Sequence, residues 1–427
     1  MCGITGIFNI ESAAPPRPGE LESMVDTIYH RGPDARGVHS FPGGGLGSTR
    51  LAIIDLRPES NMPFCSNDGR YSIAYNGEVF NYVELREELE GLGHRFRTQS
   101  DTEVVIESYR RWGAHAVERF NGMWAFAIYD SERDELFCSR DRFGIKPLFY
   151  AHHDGRLLVA SEIKALLAIA PELAAPDHEQ FTRFVAATTM PETERTFFTS
   201  IKQVLPAHNL IADRQGFRTV RYWDYPGRAI EIGSAEAAEQ VRALLDDAIR
   251  LRLRSDVPVG MLLSAGVDSS AIACLVRQFE HGPFRAFTAS YPGDPFDEAP
   301  AAAALARQLD IQHQLIPEEG IDVLETARAG IWHLESPTSY SEIVPRWHIY
   351  QQMSGEITVA FEGQGADELF GGYTTENAPA AVSDALGRGN LFDVRICFSD
   401  DLRPQACGAN INQKQLCPLE RITVTVP

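Results

Sequence analysis

The chain has 427 residues, 44% of them hydrophobic and 23% charged, and its 59 acidic against 39 basic side chains leave a formal charge of −20. That length exceeds what one core supports, so two domains are expected, and the charge disfavours a general nucleic-acid binder because most of the surface would repel a phosphate backbone. The seven cysteines are scattered and lack C-x-x-C spacing, which excludes a disulfide framework or a zinc knuckle, and neither a basic leader nor a run of ~20 apolar residues marks secretion or membrane insertion; a cytoplasmic protein is expected.

The chain opens "MCGITGIFNI", with a thiol directly behind the initiator methionine and glycines at positions 3 and 6. Most cysteines are small buried packing residues, but few sit at this position. From Met1 to about Pro206 the segments "GLGSTRLAIIDL", "GRYSIAYNGEVF", "MWAFAIYD", "ELFCSRD" and "PLFYAHHDGRLLVAS" mix β-branched and aromatic residues between Gly, Asp and Pro turns. Two stretches, "NYVELREELEGLGHRF" and "DTEVVIESYRRWG", have helical periodicity with acidic residues early. A mixed α+β domain on antiparallel sheets is expected over residues 1–210. "RQGFRTVRYWDYPGRAIEIGS" reads as a connector, with the linker placed at 211–234.

The pattern then changes. "AAEQVRALLDDAIRLRLRS" is an amphipathic helix, "VPVGMLLS" a buried strand and "SSAIACLVRQF" a second helix; "FRAFTASY", "QHQLIP" and "GEITVAFEG" are further strands alternating with helices such as "EAPAAAALARQL". Such alternation predicts a parallel sheet with right-handed crossovers over residues 235–376. Residues 377–427 hold three cysteines and weak periodicity, and are expected to form a poorly ordered tail.

In "MLLSAGVDSSAIA" an apolar strand runs into Ser264, Gly266, Asp268 and Ser269 and then a helix. Backbone N–H groups and hydroxyls at a helix start make an anion cradle. The loop has no P-loop lysine, and its acidic residue suits a pyrophosphate chelated through Mg²⁺, with Asp268 helping to hold the metal. The plainer alternative is that small residues let strand and helix pack closely. After the strand "ITVAFEG" comes "QGADELFGGY", again at the carboxyl end of a parallel strand, where such sheets collect ligands. Its Asp367 and Glu368 serve either there or as a helix cap.

"MCGI", "RGPD", "YNGEVFNY", "SDTE", "RDRFGIKPLFY", "SEIKAL", "LLSAGVDSS" and "EGQGADELFGGY", in this order from Met1 to about Tyr373, resemble glutamine-dependent asparagine synthetase. The resemblance implies an αββα two-sheet sandwich of the N-terminal nucleophile hydrolase type, followed by an ATP pyrophosphatase-type α/β domain. It also implies removal of Met1, so that the α-amino group of Cys2, with a reference pKa of ~7.7–8.0, activates its own thiol. Asn76 and the Gly77 N–H would stabilise the tetrahedral oxyanion, although Asn-Gly between apolar runs also signals a type I′ hairpin. Arg50 would grip the glutamine α-carboxylate with backbone near Ile53, and Glu78 and Asp101 would bind its α-ammonium; read alone, Arg50 is a surface ion pair and Asp101 a helix-start acid.

In the second half the resemblance places adenine and ribose near Leu262, Ala289 and the Glu362-Gly363 backbone. It places the pyrophosphate on Ser264, Gly266, Asp268 and Ser269, and the acyl-adenylate beside Gln364, Asp367 and Glu368, with Asp268 and Asp367 as magnesium carboxylates. The implied substrates are glutamine, ATP and aspartate, ammonia passing between domains along an enclosed path, with no nucleic-acid or membrane partner; a homodimer is compatible with it. Three departures stand out. Ala265 replaces a glycine, at a cost on the order of 1 kcal/mol if that position needs positive φ. Gln364 stands where many asparagine synthetases carry a glutamate, and an amide cannot act as a carboxylate base. The family's later helical region, with a phosphate-stabilising lysine, has no match, and Lys414 is the sole lysine after Lys202. These departures raise a different small carboxylate as acceptor, or a glutaminase with an impaired second domain.

Overall fold

The computed structural model describes residues 1–187, 193–227, 230–338, 343–370 and 423–425. The chain divides into two units: Met1–Asp224 with His333–Ser339, and Tyr225–Trp332 with Tyr340–Pro427. No helix among the described residues is long and apolar enough to cross a membrane.

Unit 1 is built on the strands β1 (Gly3–Asn9), β2 (Ala35–Phe41), β3 (Gly44–Arg50), β4 (Phe64–Cys65), β5 (Tyr71–Val79), β6 (Gly122–Asp130), β7 (Glu135–Arg140), β8 (Phe149–His153), β9 (Arg156–Ala160), β10 (Lys202–Gln203), β11 (His208–Asp213) and β12 (Gly216–Arg221). One sheet runs β10-β8-β9-β1-β3-β2 and the other β12-β11-β7-β6-β5-β4, with antiparallel pairings throughout. Side-chain alternation explains the layering. Ile4 and Phe8 of β1, Val159 of β9, and Ala125 and Ala127 of β6 share the core between the sheets. Ile7 and Leu158 turn the other way, onto the helix Glu20–Thr27 through Leu21 and Met24. Trp124, Phe126 and Ile128 of β6 pack outward against Leu85, Leu89, Val104 and Val105 of the helices Tyr82–Gly91 and Asp101–Trp112. Because each sheet is covered on both faces, its strands read as near-continuous apolar runs. This is the αββα sandwich expected.

Close packing explains the glycines of β3: a Cβ on Gly45 would lie 2.4 Å from Leu21 Cδ1, so the helix Glu20–Thr27 can settle on the sheet only over a bare backbone. Asp154 and Gly155, at φ 50° and 68°, make the tight turn between β8 and β9. The Asn76-Gly77 pair does not: it lies inside β5, with Asn76 opposite Ala125 and Gly77 opposite Trp124, so the hairpin reading is corrected. Residues 211–221, read as connector, complete β11 and form β12 at the edge of the second sheet, β11 pairing with β7 and β12 with β11.

Unit 2 holds β13 (Val259–Leu262), β14 (Arg285–Ser290), β15 (Gln312–Pro317), β16 (Val359–Glu362) and β17 (Thr423–Thr425), all parallel, in the order β15-β14-β13-β16-β17. The helix Ser234–Arg252 precedes β13, the helix Val267–Phe279 follows it, and the helix Ala299–Gln308 joins β14 to β15. From β13 the chain proceeds to β14 and β15 on one side and returns to β16 on the other. Strand order therefore reverses between β13 and β16, where a parallel sheet opens a crevice at its carboxyl edge. Apart from β17, the tail 377–427 and Lys414 lie outside the described residues.

Candidate functional site

In unit 1, Cys2 leads into β1. Its thiol donates to the Leu51 carbonyl at 3.6 Å, and Arg31 Nε donates to the Cys2 carbonyl at 2.9 Å, fixing the first residues against the sheet. Burial pushes the Cys2 thiol up, while the N-terminal charge, the Leu51 contact and Arg50 pull it down and Asp101 adds to the rise. A thiol held protonated in this way needs a base beside it to become a nucleophile.

β5, in the facing sheet, carries a donor awaiting an acceptor. Asn76 is 1% exposed, and its Nδ2 has no hydrogen-bond partner among the described residues. A buried amide donor left unsatisfied is costly, and an acceptor brought by a bound ligand is one way to relieve it. Gly77 is required by packing: an added Cβ would stand 2.3 Å from the Met123 carbonyl oxygen and 2.8 Å from Trp124 Cα.

Asp101 begins the helix Asp101–Trp112, which Ser100 caps by accepting from the Thr102 N–H at 3.2 Å. The helix-start reading holds, but the carboxylate faces inward, where its Oδ2 accepts from Tyr75 Oη at 2.8 Å and from the Val79 N–H at 3.1 Å. Burial still pushes Asp101 up, against those donors and the charge of Arg50. Glu78 is buried on the same strand, and Glu78, Asp101 and Cys2 all act on the Tyr75 phenol.

Arg50 is not a surface ion pair. It is buried, and its Nη groups donate to the carbonyls of Ile54, Asp55 and Arg57 and to Asn61 Oδ1 at 2.5–3.2 Å, which folds the 54–61 loop around it. Its Nε–H has no protein acceptor among the described residues. Ile53 is buried beside this loop. Cys2, Arg50 and Asp101 thus lie within electrostatic reach of one another, and Tyr75 within reach of Cys2, Asp101 and Glu78, with Asn76 and Gly77 on the strand that carries Tyr75 and Glu78.

In unit 2 the loop after β13 is organised by its serines. Ser264 Oγ and Ser269 Oγ lie 2.7 Å apart, Ser269 Oγ accepts from the Ser264 N–H at 3.1 Å, and Ser264 Oγ accepts from the Gly266 N–H at 3.1 Å. Gly266, at φ −66°, precedes the helix Val267–Phe279. Ala265 is absent from the positive-φ residues and donates its N–H to Glu298 Oε2 at 3.1 Å, so the strain expected of alanine there does not arise. The loop after β16 meets this one: a Cβ on Gly363 would lie 3.1 Å from both Asp268 Cβ and the Ser269 nitrogen. Leu262 ends β13, Ala289 lies in β14 and Glu362 ends β16, all at the carboxyl edge.

Burial pushes Asp268 up, and the charges of Asp367 and Glu368 push it further. The three carboxylates repel one another, and a divalent cation bound between Asp268 and Asp367 would relieve that repulsion. Asp367 and Glu368 also fall in the first turn of the helix Ala366–Phe370, and both readings of the pair are compatible. Gln364 Oε1 accepts from Arg346 Nη1 at 3.0 Å.

Two family models together match most of the chain. The family described as glutamine amidotransferase domain matches residues 1–223, and that described as asparagine synthase matches residues 240–418. The chain belongs to the glutamine-hydrolysing asparagine synthetase family. It is 33% identical over 388 residues to asparagine synthetase (glutamine-hydrolyzing) 1 of Bacillus subtilis (strain 168), covering 90% of this chain and 60% of that protein. It is 31% identical to asparagine synthetase (glutamine-hydrolyzing) 3 of the same organism, covering 87% of this chain and 63% of that one. It is also 32% identical to the amidase chyE of Penicillium rubens (strain ATCC 28089 / DSM 1075 / NRRL 1951 / Wisconsin 54-1255), covering 87% and 59%. The chain spans about three-fifths of the length of these relatives.

Within this asparagine synthetase framework, sequence reading missed several supporting residues. Tyr75 holds Asp101, Arg31 holds the Cys2 carbonyl, Asn61 helps bind Arg50, and Arg346 holds Gln364. Tyr75 and Arg31 stand next to or inside the motifs "YNGE" and "RGPD", a usable signal; Asn61 and Arg346 carry none.

Proposed function

We propose that this chain is an ATP-dependent amide ligase that hydrolyses glutamine in unit 1 and transfers the ammonia to a carboxylate adenylated in unit 2, with aspartate as the acceptor and asparagine, AMP and pyrophosphate as products. The observation that carries the reading is the buried Asn76 Nδ2, a donor with no acceptor among the described residues on the strand beside the Cys2 cluster.

Once Met1 is removed, the Cys2 amine takes the thiol proton and sulfur attacks the glutamine amide carbon. The S–C bond forms as the carbonyl becomes an oxyanion, received by the Asn76 Nδ2–H and the Gly77 N–H. Collapse breaks the C–N bond, the protonated amine returns its proton to the leaving nitrogen, and ammonia departs. Water then hydrolyses the thioester to glutamate and restores the thiol. Arg50 would meet the α-carboxylate through its remaining Nε–H, with Glu78 and Asp101 on the α-ammonium.

In unit 2, Leu262, Ala289 and the Glu362-Gly363 backbone would receive adenine and ribose, and Ser264, Gly266, Asp268 and Ser269 the pyrophosphate. Asp268 and Asp367 would hold Mg²⁺, which when bound neutralises phosphate charge. An acceptor carboxylate oxygen bonds the α-phosphorus as pyrophosphate leaves, and ammonia then displaces AMP at the acyl carbon.

A coupled assay is expected to show AMP formation requiring both glutamine and aspartate, with Cys2→Ala keeping the ammonia-driven reaction alone. Absence of AMP with every carboxylate offered would overturn the ligase reading. A second reading, with another small acid as acceptor, is favoured by the neutral Gln364 amide bound to Arg346.

A further inference from the structure

Gln364 follows Gly363 in the loop that abuts Asp268 and Ser269, so its side chain belongs to the edge where the acceptor would meet the α-phosphorus. Arg346 lies on the helix Ile343–Met353, and Tyr350 follows one turn later. Both reach the end of β16: Tyr350 Oη donates to Glu362 Oε1, and Arg346 Nη1 stands 3.8 Å from Glu362 Oε2 while donating to Gln364 Oε1 at 3.0 Å. Glu362 is buried, and its Oε2 has no hydrogen-bond donor among the described residues, so the ion pair with Arg346 is its compensation and ties the guanidinium down.

This contact has a directional consequence. A guanidinium only donates, so the carboxamide can bond Arg346 through its oxygen alone, and a flipped amide would set N–H against N–H. Nε2, with two hydrogens, is turned away from Arg346, and it has no protein acceptor among the described residues. A carboxylate at position 364 would offer only acceptor oxygens and a negative charge, which suit an ammonium group; the locked amide offers donors, which suit an oxygen.

We propose that Arg346 is a positioning residue that locks Gln364 as a hydrogen-bond donor toward the bound acceptor, so that unit 2 reads its acceptor through a second carboxylate or carbonyl oxygen and not through an ammonium group. The inference rests on the reading of unit 2 as the acceptor-activating site and narrows the acceptors to dicarboxylates and their close analogues. Aspartate remains among them by virtue of its second carboxylate.

Two probes divide aspartate into its parts: succinate keeps the second carboxylate, and β-alanine keeps the ammonium. In carboxylate-dependent ATP–pyrophosphate exchange with the full chain, succinate is expected to show a KM at least about tenfold below that of β-alanine, the scale of one good hydrogen bond. Gln364→Glu is expected to reverse the order. Arg346→Met should raise the succinate KM about tenfold and by more than it raises the ATP KM, which it reaches only through Glu362, and Arg346→Lys should recover part of that loss, which a merely structural role would not reproduce. Equal use or preference of β-alanine by the parent chain, or an order unmoved by Gln364→Glu, overturns the proposal. Exchange with no acid at all overturns the ligase reading instead. Saturation-transfer NMR of the same two acids, with a non-hydrolysable ATP analogue, then decides the inference: succinate bound in preference supports it, and neither bound, or β-alanine preferred, refutes it.

Discussion

Replacing Asn76 by leucine separates a catalytic amide from a structural one. The two side chains are close in volume, so the buried space stays filled, and the Nδ2 donor removed has no partner among the described residues to lose. An amide bonded at that end would cost about 1–3 kcal/mol when replaced. Here the expected change in unfolding free energy is under about 1 kcal/mol, and relief of a buried unsatisfied donor can make it a gain. Catalysis should respond very differently. Removal of one oxyanion donor raises the barrier by roughly 2.7–4 kcal/mol, so kcat for glutamine hydrolysis should fall about 10²- to 10³-fold. KM should move little, because the bond forms only as negative charge develops on oxygen. Steady-state glutaminase kinetics and urea unfolding on the same preparation test both halves. A kcat within about threefold of the parent, or a stability loss above about 2 kcal/mol, would refute the assignment.

Gly77→Ala should fail for a different reason: a Cβ 2.3 Å from the Met123 carbonyl forces β5 from β6, and urea unfolding should show a loss of about 1–3 kcal/mol or more. Tyr75→Phe removes a donor from a buried carboxylate; a stability loss of about 1.5–3 kcal/mol is expected by urea unfolding, with a raised KM for glutamine as Asp101 holds its charge less readily. His333 packs edge-on against His30 at a centroid distance of 4.5 Å, beside Glu162, which His30, Arg31 and Lys164 all bind. Burial first, then the charges of His30, Lys164 and Arg31, hold His333 down at about 4, with Glu162 opposing them. The unfolded chain then binds the extra proton first, so stability is lost as pH falls from about 6.5 toward 4. His333→Gln should flatten that part of the stability–pH curve, and an unchanged slope by thermal unfolding would contradict the assignment.

Much of the chemistry was legible in linear form, because it depends on residue type at short spacing. A thiol at position 2, serines and an aspartate between an apolar strand and a helix, and acidic residues after a second such strand each state a local requirement. Antiparallel sheets were legible too, whereas the layering came from the family resemblance; the structure supplies its physical trace, since a strand covered on both faces must be apolar at nearly every position, and β6 is.

What tertiary structure alone decided concerns partners far apart in the chain. Asn76-Gly77 has the composition of a turn, yet pairing with Ala125 and Trp124 keeps it extended, and Gly77 is needed for the neighbouring strand rather than for its own φ. Arg50 was legible as a cation but not as one bound by loop carbonyls; Ala265 was legible as a substitution but not as an unstrained one. The grip of Arg346 on Gln364 joins a helix to a loop eighteen residues away and leaves no periodic trace. Local sequence encodes backbone preference and which face is buried, and both repeat with the period of the element. Strand register and the direction of a side-chain hydrogen bond follow from which segments meet after collapse, and no spacing along one segment records that.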